Sequence, residues 1–413
     1  MTWRRATRDV DGVLVTMAPS IPSPATASPG DAAHSRSDEM RAIVGLPTGA
    51  RVAVAMSGGV DSSVTAALLV EAGYEVVGLT ARLYDEPLGA VARAGSCCAP
   101  RDARDARAVA AALGIRHYVV DEREAFAETV IARFVADWQQ ARTPNPCVEC
   151  NRHLKFERLL QRARTLGCAI LATGHYARLE RDDDDRPVLR RAVDTSKDQA
   201  YFLWPLGATT APWIRFPLGG LTKVEVRAED QRLGVAVADK PESMDICFTG
   251  GERPADWLAA HGGAPAGALV SMRGLTLGRH DSLARFTIGQ RRGAELAQAG
   301  GAGLYVVDKH ADGTVTLGSR DDLAVAAITA RDVSTLDGAP LQVGALLAAQ
   351  VRHRGQPLRV EVVAATTEAW TLRCVDHAEA IAPGQSVVLW DGERMVGGGI
   401  IDTTARVADA EVR

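Results

Sequence analysis

The sequence predicts an α/β fold, with a doubly wound parallel sheet followed by two small antiparallel β domains. From Arg51 to about Thr173, apolar strand patterns alternate with helical patterns, which indicates right-handed crossovers and a parallel sheet covered by helices on both faces. After about Gly250 the segments are short, alternate apolar with polar residues and are separated by turn residues. That pattern is typical of antiparallel β structure.

The elements of the first region follow one another in a regular order. Its strand patterns are 52–56, 76–80, 117–120 and 169–173. Its helical patterns are 62–71, 102–113, 124–140 and 154–166, and a glycine follows most of them, as expected where a helix ends. Ligands of a doubly wound sheet bind at the carboxyl ends of its strands, so the turn after 52–56 is the first candidate site.

Length and composition indicate a globular chain of several domains. It has 413 residues, 46% of them hydrophobic, and its net charge of −4 predicts no overall attraction to nucleic acid. No apolar run approaches the roughly 18 residues that span a bilayer, so we expect no membrane segment. The apolar stretch at 13–15 is too short for a signal peptide, so we expect a cytoplasmic location. We predict four regions: a leader at 1–47, an α/β domain at 48–250, a central β domain at 251–330 and a C-terminal β-barrel at 331–413.

The leader is open to two interpretations. Residues from about 18 to 37 are rich in Pro, Ala and Ser and offer little to bury, which predicts disorder. Met40 stands just before the first foldable segment, so the leader can equally be a misannotated start.

The stretch "RVAVAMSGGVDSSVTAALL", 51–69, predicts an anion-binding turn between a strand and a helix. Polar side chains flank its two glycines: Ser57, Asp61, Ser62 and Ser63. The carboxylate can cap the helix or hold a Mg²⁺ that accompanies phosphates. A kinase-type loop needs a lysine in Gly-Lys-Ser/Thr, and its absence argues against γ-phosphoryl transfer. The alternative is that Gly58 and Gly59 only turn the chain.

Seven cysteines in a chain predicted to be cytoplasmic indicate reactive, ligating or buried thiols rather than disulfides. "RTPNPCVECNRHLKF" places Cys147 and Cys150 one turn apart where a helix begins, and the helix dipole there favours the thiolate that a sulfur nucleophile needs. Half of a zinc site is the alternative, but the chain has no second Cys-x-x-Cys. Cys247, in "KPESMDICFTGG", is equally compatible with the core or with a site. We assign no role to Cys97 and Cys98.

Several motifs together resemble a known family. "AMSGGVDSS" matches the pyrophosphate loop (PP-loop) of the ATP pyrophosphatase superfamily, whose members adenylate a carbonyl oxygen and release pyrophosphate. The two cysteine segments and the further stretches "ATGHYAR" and "DTSKDQAYFL" occur along the chain in the order found in the bacterial tRNA-specific 2-thiouridylases. The chain resembles that family over roughly 52–401. The resemblance implies an adenine-nucleotide alpha hydrolase-like fold and makes 48–250 the ATP-binding catalytic domain.

The resemblance also implies roles for individual residues. Cys150 is the expected nucleophile, and Cys247 is expected to carry sulfur as a persulfide and to form a transient disulfide with Cys150. The expected ATP-binding residues are Ala55, Met56, Ser57, Gly58, Gly59, Val60, Asp61, Ser62, Ala81 and Gly174. Asn145, Pro146 and Cys147 match the segment that meets the target base, although many members have Asp in place of Cys147. Expected tRNA contacts are His175, Lys197, Asp198, Gln199, Arg352, His353 and Gln385.

The implied reaction is ATP-dependent 2-thiolation of the wobble uridine, position 34, of tRNA. ATP with Mg²⁺ adenylates the uracil 2-oxygen, sulfur comes from a cysteine persulfide, and AMP and pyrophosphate are released. The implied partners are the tRNA anticodon arm and a cysteine desulfurase or sulfur-relay protein.

The sequence leaves three alternatives open. An AMP-forming PP-loop synthetase or amidotransferase acting on a small molecule would share the loop but would not need the two cysteines. An RNA-binding module with a decayed loop would not cleave ATP. A third alternative keeps the function and makes Cys147, Cys150 and Cys247 ligands of an iron-sulfur cluster, since thiolates are the usual cluster ligands.

Overall fold

The computed structural model describes residues 14–16, 31–85, 100–234, 246–293 and 303–407. Cys97 and Cys98 lie outside the described residues. The chain divides into two compact units. Unit 1 comprises Met1–Thr129 and Glu149–Gly251, and unit 2 comprises Val130–Val148 and Glu252–Arg413.

Unit 1 contains the predicted parallel sheet. Its strands are β1 (Leu14–Thr16), β2 (Arg51–Ala55), β3 (Glu75–Arg82), β4 (Arg116–Asp121), β5 (Leu171–Thr173) and β8 (Ile214–Arg215), in the spatial order β1-β4-β3-β2-β5-β8. Only β1 is antiparallel to its neighbour among these described strands. Two further strands, β6 (Arg178–Arg181) and β7 (Pro187–Arg190), pair as a hairpin. The inner residues of β2 and β3 are buried along their whole length, as expected for strands covered on both faces.

Helices and short helical turns connect the strands. The α-helices are α1 (Asp31–Val44), α2 (Val60–Glu71), α3 (Pro100–Ala112), α4 (Arg123–Phe126), α5 (Ala132–Gln139), α6 (Pro146–Glu149), α7 (Leu160–Thr165), α8 (Lys223–Leu233) and α9 (Pro254–Ala260). Ala127–Ile131 and Cys150–Leu159 are π-helical. Short 3₁₀ turns occupy Ala200–Phe202, Ala211–Trp213, Cys247–Thr249, Leu283–Arg285 and Asp321–Leu323.

Helix α1 corrects the prediction of a disordered leader for the residues it contains. Its side chains Met40 and Val44 are fully buried and belong to the same apolar cluster as β2 and α2. A helix with so few apolar residues is stable here because those residues pack against a formed core, and most helical stability in proteins comes from such packing.

Unit 2 contains two β structures. The first is a sheet of β9 (Gly267–Ser271), β10 (Thr276–His280), β11 (Tyr305–Lys309) and β12 (Val315–Gly318), in the order β10-β9-β12-β11, and its central pair is parallel. The second consists of β13 (Ala324–Thr335), β14 (Leu346–Gln350), β15 (Leu358–Ala365), β16 (Ala369–Glu379), β17 (Ser386–Asp391) and β18 (Arg394–Arg406). These strands are antiparallel in the order β13-β16-β15-β14-β17-β18, and β13 also pairs with β18, so they close into a barrel.

The predicted fold class is confirmed. The parallel pair β9–β12 is a refinement, because the central β structure is mixed and not wholly antiparallel. Separate apolar clusters underlie the barrel and the smaller sheet, and Ala141 from the segment after α5 packs into the second of these.

Candidate active site

The turn between β2 and α2 depends on a glycine in left-handed conformation. Gly58 has a φ of +70°, and a Cβ built there would lie 2.2 Å from the carbonyl oxygen of Asp102 in α3. Any other residue would be strained in its backbone and would collide with that carbonyl. The turn therefore has its observed shape only with glycine at 58.

Serine hydroxyls brace the same turn from inside. The Ser57 amide donates to Ser62 Oγ at 3.1 Å, and the Ser62 and Ser63 hydroxyls donate to the Gly59 carbonyl at 3.1 and 2.9 Å. Gly59 is the N-cap of α2, and no side chain caps this helix within the described part of the chain. The first turn of α2 therefore carries no side-chain cap in the part of the chain that the structure describes, and anion binding by its backbone N–H groups stays a prediction.

A buried chain of hydrogen bonds supports the turn from the neighbouring strand. Thr80 of β3 donates to the Met56 carbonyl at 2.6 Å, and His117 Nε2 lies 2.8 Å from the Thr80 hydroxyl. Burial, together with the charge of Arg107, lowers the pKa of His117 to about 4. A neutral His117 donates through Nε2–H to Thr80, which fixes the strand against the turn.

Asp61 is held by two residues that the sequence analysis did not identify. Its Oδ1 accepts hydrogen bonds from Lys223 Nζ at 2.7 Å and from the Tyr176 hydroxyl at 2.9 Å. The capping alternative for Asp61 is wrong, because α2 has no side-chain cap and Asp61 Oδ1 instead accepts from these two side chains. The motif Thr-x-x-Glu at Thr222–Glu225 signals the start of α8 and could have pointed to Lys223.

Gly174 and Ala81 lie near the carboxyl ends of β5 and β3. A Cβ at Gly174 would be 2.8 Å from the Asp61 carbonyl carbon and 2.9 Å from the Ser62 amide, so this glycine permits a close backbone approach to α2. Ala81 is buried next to the end of β3.

His175 is engaged at both ring nitrogens. Nδ1 lies 2.7 Å from the Thr173 hydroxyl, and Nε2 lies 3.2 Å from Lys155 Nζ. Burial, followed by the charge of Lys155, holds the pKa of His175 well below its usual range. A neutral ring donating from Nδ1 and accepting at Nε2 satisfies both contacts. In this structure His175 thus orients Lys155 and Thr173.

Cys150 and Cys247 both belong to unit 1 and are both half-buried. Cys150 begins the π-helical segment, and the next residue, Asn151, donates from its side chain to the Phe202 carbonyl at 3.0 Å. Cys247 begins a 3₁₀ turn whose Phe248 ring packs edge-on against Phe126 at 5.7 Å. π-Helical turns are frequent at functional sites.

Cationic side chains follow Cys150 on the same segment. The Arg152 guanidinium lies over the Trp204 ring at 4.9 Å, and His153 lies between Glu149 at 3.4 Å and Glu157 at 3.2 Å. Glu149 foremost, with Glu157, raises the pKa of His153 against the opposing effect of burial.

In unit 2 the segment that precedes Cys147 is anchored at Thr143. The Thr143 amide donates to the Pro383 carbonyl at 2.8 Å, its carbonyl accepts from Gln385 Nε2 at 2.8 Å, and its hydroxyl lies 3.2 Å from Lys309 Nζ. Gln385, an expected tRNA contact, therefore holds this segment in the structure. Asn145 is half-buried, Pro146 is buried and Cys147 is exposed.

The other expected tRNA contacts fall into two groups. Asp198 accepts from the Ala192 amide at 2.9 Å, and Gln199 Oε1 accepts from the Tyr176 amide at 3.0 Å, so both stabilise their own region. Lys197 is half-buried beside them. Arg352 and His353 lie in the turn between β14 and β15, exposed and half-buried respectively.

No group of three or more His, Cys, Asp and Glu side chains among the described residues is arranged to hold a metal ion, and the iron-sulfur alternative stays a prediction. None of the helices described is both long and apolar enough to cross a membrane.

Family models and related proteins match the chain over most of its length. Residues 50–251 match the family model of the tRNA methyl transferase HUP domain, 255–319 its PRC-barrel domain and 325–401 the aminomethyltransferase beta-barrel domain. A tRNA-specific 2-thiouridylase MnmA of Caulobacter vibrioides is 44% identical over 90% of this chain and 99% of its own. Another, of Nitrobacter winogradskyi, is 44% identical over 87% and 92%.

A solved U34-tRNA thiolase of Methanococcus maripaludis aligns at 19% identity and a TM-score of 0.33, over 55% of this chain and 70% of its own. That likeness is too weak to carry a conclusion. The sequence relatives match nearly end to end, and on that basis the chain belongs to the tRNA-specific 2-thiouridylase family of the PP-loop superfamily.

Proposed function

We propose that this chain catalyses ATP-dependent 2-thiolation of uridine 34 in tRNA. The observation that carries the proposal is the presence, in one unit, of a braced anion-binding turn at 56–59 and of two half-buried thiols, Cys150 and Cys247. The turn suits the phosphates of ATP, and two thiols suit sulfur transfer. The names of the relatives, which are 2-thiouridylases of tRNA, support this substrate.

The first step activates the base. The uracil 2-oxygen attacks the α-phosphorus of ATP, the bond from that phosphorus to the oxygen bridging to the β-phosphate breaks, and pyrophosphate leaves. The 2-oxygen then departs readily as AMP when a nucleophile adds to carbon 2. The α2 N-terminus and its backbone N–H groups would stabilise the phosphates during this step.

The second step transfers sulfur from a persulfide on Cys247. In one route its terminal sulfur attacks carbon 2, AMP leaves, and Cys150 then attacks Cys247 Sγ and breaks the S–S bond. In the other route Cys150 attacks first and releases hydrosulfide, which displaces AMP from carbon 2. Both routes end in a Cys150–Cys247 disulfide, so an external dithiol must return two electrons.

The remaining roles complete the proposal. Asn145, Pro146 and Cys147 would meet the uracil, which must leave its stack to be reached. Exposed Arg352 is suited to phosphate contact, and sulfur would come from a desulfurase or relay protein in the cytoplasm. The ranges of the three matched family models support a division into an ATP-binding catalytic domain at 48–250 and β domains at 251–330 and 331–413.

The test is nucleoside mass spectrometry of unmodified tRNA incubated with the protein, ATP, Mg²⁺ and a persulfide donor. We expect 2-thiouridine at position 34, and its loss in Cys150→Ser and Cys247→Ser proteins. Cys168→Ala is the matched control, because Cys168 is buried in unit 1 and burial raises the pKa of its thiol to about 11. Turnover of ATP to AMP on a small acceptor, unaffected by either serine variant, would instead favour the synthetase alternative.

A further inference from the structure

Thr143 is held at three points within unit 2, shortly before Cys147. Its amide and its carbonyl bond Pro383 and Gln385 of the loop before β17, and its hydroxyl lies 3.2 Å from Lys309 Nζ of β11. The first two contacts belong to the barrel and the third to the smaller sheet. Thr143 is therefore joined to both β structures of unit 2.

Gly384 lets the barrel loop reach the Thr143 backbone. Its φ is +92°, and a Cβ built there would lie 2.8 Å from the Thr143 nitrogen and 2.9 Å from Arg142 Cβ. The Gly384 amide donates to the Ile401 carbonyl at 2.8 Å, and the Ile401 amide donates to the Gln385 carbonyl at 2.8 Å. The barrel side of the Thr143 anchor therefore rests on a loop that is itself hydrogen-bonded to β18.

Lys309 makes the third contact at a cost. The residue is only 8% exposed, and an apolar side chain would fill a buried position at lower cost than an ammonium. Its Nζ lies 3.2 Å from the Thr143 hydroxyl and 4.6 Å from the centre of the Trp138 ring. Both contacts are made to the stretch 130–148, which ends with the predicted base-binding residues. The position of the ammonium thus indicates a role in holding that stretch.

The chain between Thr143 and Cys147 is short and stiff. Pro144 and Pro146 each fix their own φ, and each restricts the backbone of the residue before it. Few backbone torsions are left to absorb a movement of Thr143. A displacement there is therefore passed on to Asn145 and Cys147.

We propose that Lys309 is a positioning residue for thiolation, which holds the Thr143 hydroxyl and thereby sets where Asn145 and Cys147 meet the target uracil. The inference rests on the proposed function, in which 145–147 contacts the base, and gives a residue of β11 a part in it. A shift of about 1 Å at a reacting group can lower its rate about 100-fold. Loss of the contact should therefore lower kcat more than it raises KM for tRNA.

The first measurement is amide hydrogen exchange at 145–148 in the full chain without tRNA. Lys309→Met removes the ammonium, and Thr143→Val replaces the hydroxyl with a methyl group of similar size. Each should raise the exchange rate about 2- to 10-fold, the equivalent of one hydrogen bond, whereas Thr143→Ser should match the wild type. Val360→Ala is the control for lost stability, because Val360 is buried in the separate core of the barrel and should leave these amides unchanged.

The second measurement is the rate of 2-thiouridine formation by the same proteins. We expect kcat to fall at least about 10-fold in Lys309→Met and in Thr143→Val, with a smaller change in KM for tRNA, and to stay unchanged in Thr143→Ser and Val360→Ala. If the lysine acts through the hydroxyl, the double variant Lys309→Met with Thr143→Val loses no more activity than either single variant. Thr143→Val keeps the lysine and the volume, so it tests the contact even if Lys309→Met does not fold.

Two outcomes would overturn the inference alone while the wild type still forms 2-thiouridine. One is wild-type exchange and kcat in Thr143→Val, and the other is a double variant whose loss of activity is the sum of the two single losses in free energy. Absence of 2-thiouridine from the wild-type reaction would overturn the proposed function and this inference together.

Discussion

Two lysines are buried among the described residues, one in each unit, and their surroundings are opposite. Lys223 in unit 1 has the Asp61 carboxylate at 2.7 Å. Lys309 in unit 2 has the Thr143 hydroxyl at 3.2 Å and the Trp138 ring at 4.6 Å. Burial lowers the pKa of Lys309 to about 7, and the nearby Asp308 offsets only part of that effect.

The difference shows what a carboxylate contributes in a buried position. A buried ammonium without an ion partner costs several kcal/mol, and the group responds by losing its proton. Lys223 is buried with a carboxylate partner at hydrogen-bonding distance. Lys309 can instead change its charge near neutral pH while it holds the Thr143 anchor.

The largest expected effect concerns the pH dependence of unit 2. The folded pKa of Lys309, about 7, lies below the ordinary value of 10.5, so between these pH values the unfolded chain binds more protons. The free energy of unfolding should therefore rise with pH, by at most about 1.4 kcal/mol per unit. Urea unfolding at pH 7, 8 and 9 should show this rise in the wild type and not in Lys309→Met.

A second variant of the same pair gives Lys309 a carboxylate partner. In Thr143→Asp the ammonium should keep its charge, and the rise with pH should disappear although the lysine remains. The same slope in all three proteins would mean that Lys309 does not titrate in this range.

An intermediate effect is expected when Lys223 loses its carboxylate. Asp61→Asn removes the carboxylate paired with the Lys223 ammonium and should lower the free energy of unfolding by about 1–3 kcal/mol, less than for a fully buried pair because a third of the Asp61 side chain is exposed. Glu71→Gln, which breaks the ion pair with Arg232 at the other end of α2 and α8, should cost less than about 1 kcal/mol. Equal losses of unfolding free energy in the two variants would mean that the ion pairs at the two ends of α2 and α8 contribute equally to stability.

The smallest effect concerns Gln385. If it anchors Thr143, Gln385→Leu should destabilise the tRNA-free protein by about 0.5–1.5 kcal/mol, the usual net value of one hydrogen bond. Gln342→Leu, an exposed glutamine of the same unit, should leave thermal stability unchanged. A Gln385 variant with wild-type stability and a raised KM for tRNA would instead identify Gln385 as a tRNA contact alone.

Much of the fold is predictable because its signals are local. The alternation of strand and helix patterns located β2 to β5 and their helices to within a few residues. Helix α1 was missed because its two core residues follow a Pro- and Ser-rich stretch. They are buried by residues of β2 and α2, and no local sequence pattern indicates that contact. The parallel pairing of β9 with β12 was missed because periodicity carries no information on strand direction.

Some residues of the candidate site are also recognisable from local sequence motifs, and others are not. The turn at 56–59 and the cysteines could be selected from sequence because each lies in a compact motif. The partners of Lys223 and Lys309 could not be identified from the sequence, because they lie 162 and 166 residues away along the chain. Gln199 was selected through the family motif, but its hydrogen bond to the Tyr176 amide shows a supporting role that the motif does not reveal.

The contact between Gly58 and Asp102 has a mechanical consequence. The Asp102 carbonyl occupies the space where a side chain would stand at 58, so the first turn of α3 packs directly against the turn at 56–59. The turn cannot swing outward on that side unless α3 moves with it. Displacement of the turn toward α3 is therefore coupled to displacement of that helix.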